Sequence, residues 1–346
     1  MKIGFIFLTV FASTFADNSQ EYKSLIKVET DKLSKSKTFK NGDDPSKINL
    51  ETYHNLTEIN AYINAAAKKY NSIASIFNIG KSFQKRDILG IKIGNPKNGE
   101  KKAVLLHSLI HSREWITGAT TIKLIYELLE TVKYAAILDI VDFYIIPVFN
   151  VDGYEYTWTT DRMWRKSLSG PYNEGAIGVD LNRNFDWNWN DSVNQNSAPS
   201  DDTFSGLKAF SEIEDQNLKN FVEKIQPFSY WDFHSCSGDF FFPDGIHTLP
   251  IYKKYLKAGK IFVDAAAEIG DTGYQYCEPD TCIYNVTGDT MDYFFFKQNV
   301  TFSFATEIGP CTDGFEVPES KIQNLTDEFL AGFFAVINFL TSLNDN

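Results

Sequence analysis

The sequence predicts a three-layer α/β sandwich, in which a mixed, mostly parallel central sheet is flanked by helices within one domain. Short apolar runs that read as buried strands alternate with longer segments of helical apolar spacing. The chain of 346 residues is long enough for one large domain. Neither an internal repeat nor a shift in composition marks a second domain. These observations favour helices on both faces of one sheet.

The elements begin near residue 49 and follow one another along the chain. Asn55 or Thr57 can cap a first helix whose apolar spacing continues to Tyr70. Strands are predicted over residues 75–79, 87–93, 103–106, 141–149, 228–233 and 300–306. Further helices are predicted over residues 116–132, 212–225, 251–269 and 325–343. Residues 150–206, rich in Gly, Asn and Trp, are predicted to hold little regular structure, and loops of that length are usually functional.

Composition and the N-terminus indicate an exported globular protein. Hydrophobic residues make up 43% and charged residues 23%. The net charge of −12, without a basic cluster, argues against nucleic acid or an anionic membrane as the main partner. Met1-Lys2, an apolar run and small residues up to Ala16 predict a signal peptide over residues 1–16. Residues 17–45 then form a short leader or truncated pro-segment, and residues 46–346 form the folded domain of a secreted, extracellular protein.

Export also permits disulfides and glycans. The four cysteines, Cys236, Cys277, Cys282 and Cys311, allow three pairings, and Cys277 lies close enough to Cys282 to staple one loop. Sequons for N-glycosylation stand at Asn55, Asn190, Asn285, Asn299 and Asn324.

A metal centre is predicted after the third strand. His111 and Glu114 are three residues apart directly after an apolar run, a spacing that lets both contact one Zn²⁺ ion. A catalytic zinc takes three protein ligands and keeps one open position. His234 is the best third candidate because it ends a buried strand. The remaining histidines, His54, His107 and His247, are assigned structural roles, and His107 falls inside a strand.

Five blocks of sequence carry a family resemblance. They are His111 to Thr117, Arg162 to Lys166, Gly178 to Asn184, Ile283-Tyr284 and Glu307. In order and spacing they resemble the zinc metallocarboxypeptidases of the carboxypeptidase A and B type, and the likeness covers about residues 46–346. The folded domain is thereby identified as a zinc carboxypeptidase catalytic domain.

The resemblance implies a role for each matched residue. His111, Glu114 and His234 would hold one Zn²⁺ per chain. Glu307 would be the general base and Arg165 would stabilise the oxyanion. The substrate's terminal carboxylate would be bound by Asn182, Arg183 and Tyr284, and Arg113 would belong to an outer subsite. The cysteines depart from the family pattern. If His234 and Glu307 face one ion, Cys236 lies near Cys311, and we therefore predict the disulfides Cys236–Cys311 and Cys277–Cys282.

Substrate preference depends on the pocket that receives the C-terminal side chain. By resemblance its floor is Met291, which favours aromatic or large aliphatic C-terminal residues on peptides and proteins. Asp289 leaves open a basic or mixed preference. A third hypothesis, a non-catalytic peptide-binding relative, is disfavoured because Glu307 and Arg165 are both present. A monomer is expected, with no nucleic acid or membrane partner.

Overall fold

A computed structural model describes residues 44, 46–96, 101–191 and 196–343 of the chain. The predicted signal peptide, residues 1–16, lies outside the described residues. So does the predicted leader, residues 17–45, apart from Asp44.

The described residues form one eight-stranded sheet. Its strands are β1 (Ala74–Lys81), β2 (Asp87–Ile93), β3 (Lys102–Ser108), β4 (Val141–Ile146), β5 (Ser229–His234), β6 (Asp239–Phe241), β7 (Gln275–Cys277) and β8 (Phe302–Glu307). Their order across the sheet is β1-β2-β4-β3-β5-β8-β6-β7. The pairs β3–β4, β3–β5, β5–β8 and β6–β7 are parallel, whereas β1–β2, β2–β4 and β6–β8 are antiparallel. The predicted mixed, mostly parallel sheet is therefore confirmed.

Helices accompany this sheet along the chain. They are α1 (Leu56–Lys69), α2 (Trp115–Glu130), α3 (Val151–Thr159), α4 (Ile213–Ile225), α5 (Tyr252–Ala267), α6 (Pro279–Cys282), α7 (Thr290–Phe296) and α8 (Glu319–Ser342). A capping box fixes the start of α1, because the Asn55 side chain accepts from the Glu58 backbone N–H and Glu58 accepts from the Asn55 backbone. Of the two caps that the sequence allowed, Asn55 is the one used.

Alternation along β5 separates the two faces of the sheet. Trp231 and Phe233 point to one face, where both rings contact Phe333 of α8. Tyr230 points to the other face and contacts Phe294 of α7. Because successive strand residues face opposite sides, one strand serves both outer layers. The predicted three-layer arrangement follows from this alternation.

Several elements differ from their predicted bounds. The stretch 150–206 contains the helix α3, which packs through Trp158 on Trp115 with ring centroids 4.2 Å apart. β4 ends at Ile146 rather than at Phe149, because Pro147 cannot donate to the ladder. α8 begins at Glu319, six residues before the predicted start. The elements β6, β7, α6 and α7 were not predicted, since three to seven residues are too few to show a period.

The long helix α8 is part of the core. By length and composition alone it could cross a membrane, but 61% of its most apolar stretch is buried in the fold. Its residues Phe329 and Phe333 are buried against the sheet. A mostly buried apolar helix of this kind is expected in the core of a globular protein.

Strand register delivers the predicted site residues to one edge of the sheet. His234 and Glu307 are directly paired at the ends of the parallel strands β5 and β8. His111 follows the neighbouring parallel strand β3, which ends at Ser108. In open α/β sheets the ligand site lies beyond the carboxyl ends of such strands.

We expect Phe333→Ala to lower the free energy of unfolding by about 3 to 5 kcal/mol, because it removes a fully buried ring that contacts Trp231 and Phe233. Equilibrium chemical denaturation with the disulfides intact measures the change. Val132→Ala is the control, since Val132 is 93% exposed and should shift stability by less than about 0.5 kcal/mol. Equal stability of the two variants would contradict the assigned core.

Candidate metal centre and active site

Three buried side chains converge at the ends of β3 and β5. The Nδ1 atom of His111 lies 2.9 Å from Oε1 of Glu114 and 3.0 Å from Nδ1 of His234. His234 Nδ1 lies 3.4 Å from the other Glu114 oxygen. Two ligands held at the ~2.0 to 2.1 Å zinc bond length with tetrahedral angles are about 3.3 Å apart. The donor set therefore fits a zinc ion with one face left open.

A carboxylate stands behind each histidine. The Nε2 atom of His111 lies 3.1 Å from Asp180 Oδ1, and that of His234 lies 2.9 Å from Asp232 Oδ2. An ionised carboxylate can only accept, so each Nε2 carries the proton and each Nδ1 keeps its lone pair. Such outer partners fix the tautomer and the ring orientation of metal-binding histidines.

The electric field at this site favours a cation. Burial opposes the charged form of His234, but Asp232 and Glu114 outweigh it and raise its pKa well above the usual range. Burial likewise opposes ionisation of Asp180, yet the adjacent Arg165 and His111 hold its pKa well below the usual range. The carboxylates of Asp232, Asp180 and Glu114 thus stabilise positive charge at the two rings, whether a proton or a metal ion carries it. A divalent metal is the cation that all three donors can share.

Arg165 borders the metal centre. Its Nε and Nη2 atoms donate to Asp180 Oδ2 at 3.0 and 2.9 Å, and its Nη1 atom lies 3.8 Å from Glu114 Oε1. The two hydrogen bonds to Asp180 fix the plane of the guanidinium. Nη1 is left beside the place where a substrate carbonyl oxygen would meet the metal.

Glu307 ends β8 beside His234. Its Oε2 atom is buried and has no hydrogen-bond partner within the described part of the chain. Burial first, and then the neighbouring Glu114, raise the pKa of Glu307 to about 8, against the lowering effect of His234 and Arg165. A carboxyl with a raised pKa and a free oxygen can take and return a proton near neutral pH.

A second group of polar residues begins beside the metal ligands, where the Asn182 side-chain nitrogen lies 3.2 Å from His234 Nε2. Arg183 donates through Nη1 to the Asn182 backbone oxygen at 2.7 Å and through Nη2 to the Tyr284 hydroxyl at 3.0 Å. Asn182 accepts from the Thr290 backbone N–H through Oδ1. Tyr284 is 53% exposed, so its ring stands at the entrance while Arg183 is buried below it. A buried guanidinium under an exposed phenol suits recognition of a small anion.

One cavity joins these groups. The metal-ligand candidates, Arg165, Asn182, Arg183, Tyr284 and Glu307 all line it. Its apolar wall contains Met291, which is 3% exposed and packs with Phe241 and Ala305. Asp289 lies on the wall as well. Arg113 does not line the cavity within the described residues; its guanidinium stacks 4.3 Å from the centre of the Phe315 ring, which does line it.

Both implied disulfides are present. Cys236 is bonded to Cys311 and Cys277 to Cys282, with Cα atoms 4.9 and 6.4 Å apart. Cys236 and Cys311 line the cavity, and the second pair packs against its apolar wall. The predicted pairing is confirmed.

A family model described as zinc carboxypeptidase, Peptidase_M14, matches residues 59–332 of the sequence. The chain belongs to the zinc carboxypeptidase family.

Relatives named carboxypeptidase A and carboxypeptidase B are both similar to this chain. Mast cell carboxypeptidase A of Homo sapiens is 32% identical over 320 residues, which cover 90% of this chain and 76% of that protein. Carboxypeptidase B of Astacus astacus is 32% identical over 299 residues, which cover 84% and 97%. The crystal structure of the carboxypeptidase A from Helicoverpa armigera matches with a TM-score of 0.83 at 26% identity, covering 98% of this chain and 88% of that one. The protein is thus a metallocarboxypeptidase of the A/B type.

Two residues of this carboxypeptidase site escaped the sequence reasoning. Asp180 stood in a matched block but received no role, and Asp232 was not singled out. A signal for Asp232 exists, because it is an acidic residue two positions before His234 in an otherwise buried strand. A buried carboxylate on the same strand face as a ligand histidine needs a partner, and the histidine is the nearest one.

We expect Asp180→Asn to weaken zinc binding by the carboxypeptidase about 10- to 100-fold, because His111 and Arg165 both lose an ionised partner. Competition with a fluorescent zinc chelator measures the dissociation constant. Asp191→Asn, outside the cavity, is the control. An unchanged dissociation constant for Asp180→Asn would show that this carboxylate does not support the metal ligand.

Proposed function

We propose that the protein is a secreted zinc carboxypeptidase that hydrolyses the last peptide bond of peptides and proteins. The observation that carries the proposal is the single cavity in which three metal donors, a free Glu307 carboxyl and two arginines meet. His111, Glu114 and His234 would hold one zinc ion per monomeric chain. When bound, zinc activates water and polarises the scissile carbonyl as a Lewis acid.

The remaining residues divide the chemistry among them. Glu307 takes a proton from the attacking water and returns it to the leaving amine, for which its free Oε2 atom is available. Arg165, fixed by Asp180, donates to the developing oxyanion. Arg183, with Asn182 and Tyr284, binds the terminal carboxylate of the substrate in two places. Arg113 belongs to an outer subsite through its stacking on Phe315. An endopeptidase would have no use for the buried Arg183.

Secretion is proposed on separate grounds. The pattern of residues 1–16 is that of a signal peptide, and two disulfides suit an oxidising compartment. The five sequons are predicted acceptor sites on such a protein. Expression in a secretory host, followed by N-terminal sequencing, tests the cleavage after Ala16.

We also propose that the pocket prefers Lys or Arg at the substrate C-terminus, the alternative that the sequence left open through Asp289. Asp289 is 4% exposed, and its Oδ2 atom has no hydrogen-bond partner among the described residues. Asp244 lines the same pocket with an equally unpartnered Oδ2 atom. A cationic head would compensate these oxygens, while the apolar wall around Met291 would pack on its methylene stem.

We expect Glu307→Gln to lower kcat about 10²- to 10⁴-fold, because the amide cannot accept the proton of the attacking water. The amide keeps the size of the side chain, so zinc content should remain that of the wild type. Release of C-terminal amino acids and metal analysis are measured on the same samples. Glu174→Gln, on the exposed surface, is the control. A Glu307→Gln variant with wild-type turnover would refute the role of this base.

We expect Asp289→Asn to lower kcat/KM for peptides ending in Arg about 10- to 100-fold, the effect of losing a charged hydrogen bond of ~1.5 to 3 kcal/mol. Peptides identical except for a terminal Phe should be hydrolysed at an unchanged rate. The substitution keeps the helix cap, since Asp289 Oδ1 accepts from the Asp292 backbone N–H and an Asn oxygen can do the same.

The same pair of substrates gives a pH test. Burial raises the pKa of Asp289 to about 6 and that of Asp244 to about 7, so both carboxyls ionise as the pH rises through that range. Only the ionised forms attract a cation, so the Arg-to-Phe ratio of kcat/KM should increase with pH. A wild-type preference for Phe at every pH would assign specificity to the apolar Met291 floor instead.

A further inference from the structure

A third histidine lies buried behind the metal centre. His107 of β3 is fully buried, and its Nε2 atom is hydrogen-bonded to the hydroxyl of Tyr230 on β5. Its Nδ1 atom faces Asp232 Oδ1 at 3.4 Å. Neither of these two atoms has a hydrogen-bond partner within the described residues, and the 3.4 Å separation is a polar contact rather than a formed hydrogen bond. Since buried polar atoms are normally paired, each is the natural partner of the other.

Strand register creates this arrangement. His107 and Asp232 are directly paired residues of the parallel strands β3 and β5. Tyr230, Asp232 and His234 occupy alternate positions of β5 and therefore share one face of the sheet. The two strands thus align four polar side chains in a row that ends at the metal centre.

The chemistry of these groups fixes the direction of every hydrogen bond. Burial lowers the pKa of His107 to about 4, so the ring is neutral and has one N–H. Burial also keeps the Tyr230 hydroxyl protonated by raising its pKa. Tyr230 then donates to Nε2, which leaves the ring proton on Nδ1, the nitrogen that faces Asp232 Oδ1. The other Asp232 oxygen accepts from His234 Nε2 and from the Thr290 hydroxyl at 2.7 Å.

We propose that His107, held in one tautomer by Tyr230, is a positioning residue for the zinc centre: it orients Asp232, which in turn orients His234. The proposal rests on the zinc-binding role given above to His234. His107 itself contacts neither the metal ligands nor the cavity among the residues that the structure describes.

The expected consequence is a change in metal affinity. A ligand histidine that loses the support of its outer partner typically loses about 10- to 100-fold in affinity. His107 acts one step farther out, so removing its N–H group from beside Asp232 should cost about tenfold, the lower end of that range. The carboxylate of Asp232 would remain, but with one oxygen buried and unsupported.

The alternative is that His107 only fills space in the core. Its ring does pack against Phe149 and Tyr230, with centroids 5.0 and 5.5 Å apart. Packing depends on the volume of the side chain, whereas the proposed role depends on which ring nitrogen is replaced. Substitutions that differ in this one respect separate the two explanations.

Three variants of His107 make the test. In His107→Asn the amide nitrogen takes the place of Nδ1 and can still donate to Asp232. In His107→Gln the amide takes the place of Nε2, and in His107→Leu both polar groups are lost. A fourth variant, Tyr230→Phe, keeps the ring but removes the donor that fixes the tautomer. Melting temperatures establish that each variant is folded.

The readout is zinc binding rather than turnover. Metal-free protein is titrated with zinc in competition with a fluorescent chelator, and the visible spectrum of the cobalt-substituted protein reports the ligand geometry. We expect His107→Asn to bind within about threefold of the wild type, and His107→Gln, His107→Leu and Tyr230→Phe to bind about tenfold more weakly. If the Leu variant does not fold, the comparison of Asn with Gln decides.

Equal zinc affinity in all folded variants would overturn the proposal, and so would a His107→Asn variant as weak as His107→Gln. A wild-type protein that binds no zinc would instead overturn the proposed function. The two failures are therefore distinguishable in the same titration.

Discussion

Two imidazole nitrogens and a carboxylate face one another inside the protein, and only a shared cation can make this arrangement stable. His111 Nδ1 and His234 Nδ1 are 3.0 Å apart. The Nε2 atom of each ring faces an aspartate oxygen, which leaves Nδ1 to bind a cation. Glu114 adds a full negative charge at 2.9 Å. Lone pairs and an anionic oxygen crowded together out of water are unfavourable unless a cation compensates them. The surrounding residues hold the donors together against this repulsion.

The sequence predicted most of the site residues that lie close together along the chain or at the end of a buried strand. His111 and Glu114 belong to one short segment, so their spacing alone brings them together. His234 and Glu307 each follow a run of buried apolar residues, and parallel strand ends meet at one edge of the sheet. The order of the five matched blocks then supplied the identities of Arg165 and Arg183. Both arginines line the cavity, and the sheet architecture confirms the predicted fold.

What the sequence could not supply depends on neighbours across strands. His107 was assigned a structural role from its position in a strand, because its partner Asp232 is identified only by the register of β3 on β5. The helix α3 was missed because the tryptophan stack that holds Trp158 on Trp115 is a long-range contact. Asp289 was recognised as a competitor to Met291, but whether its carboxyl has a partner is a property of the folded pocket. The roles of these residues depend on strand register and burial, which residue types alone do not give.

Side chains along β5 point alternately to the two faces of the sheet, and this alternation determines both the core packing and the residues that reach the candidate site. Its odd-numbered residues, Trp231 and Phe233, pack under α8, while Tyr230, Asp232 and His234 form the polar row that leads to the candidate metal centre. A slip of one residue would turn every one of these side chains to the opposite face. Polar residues would then enter the α8 interface, where they would lack partners, and the aromatic rings would enter the site. A well-packed α8 layer therefore also fixes the register that places His234, the proposed zinc ligand, at the site.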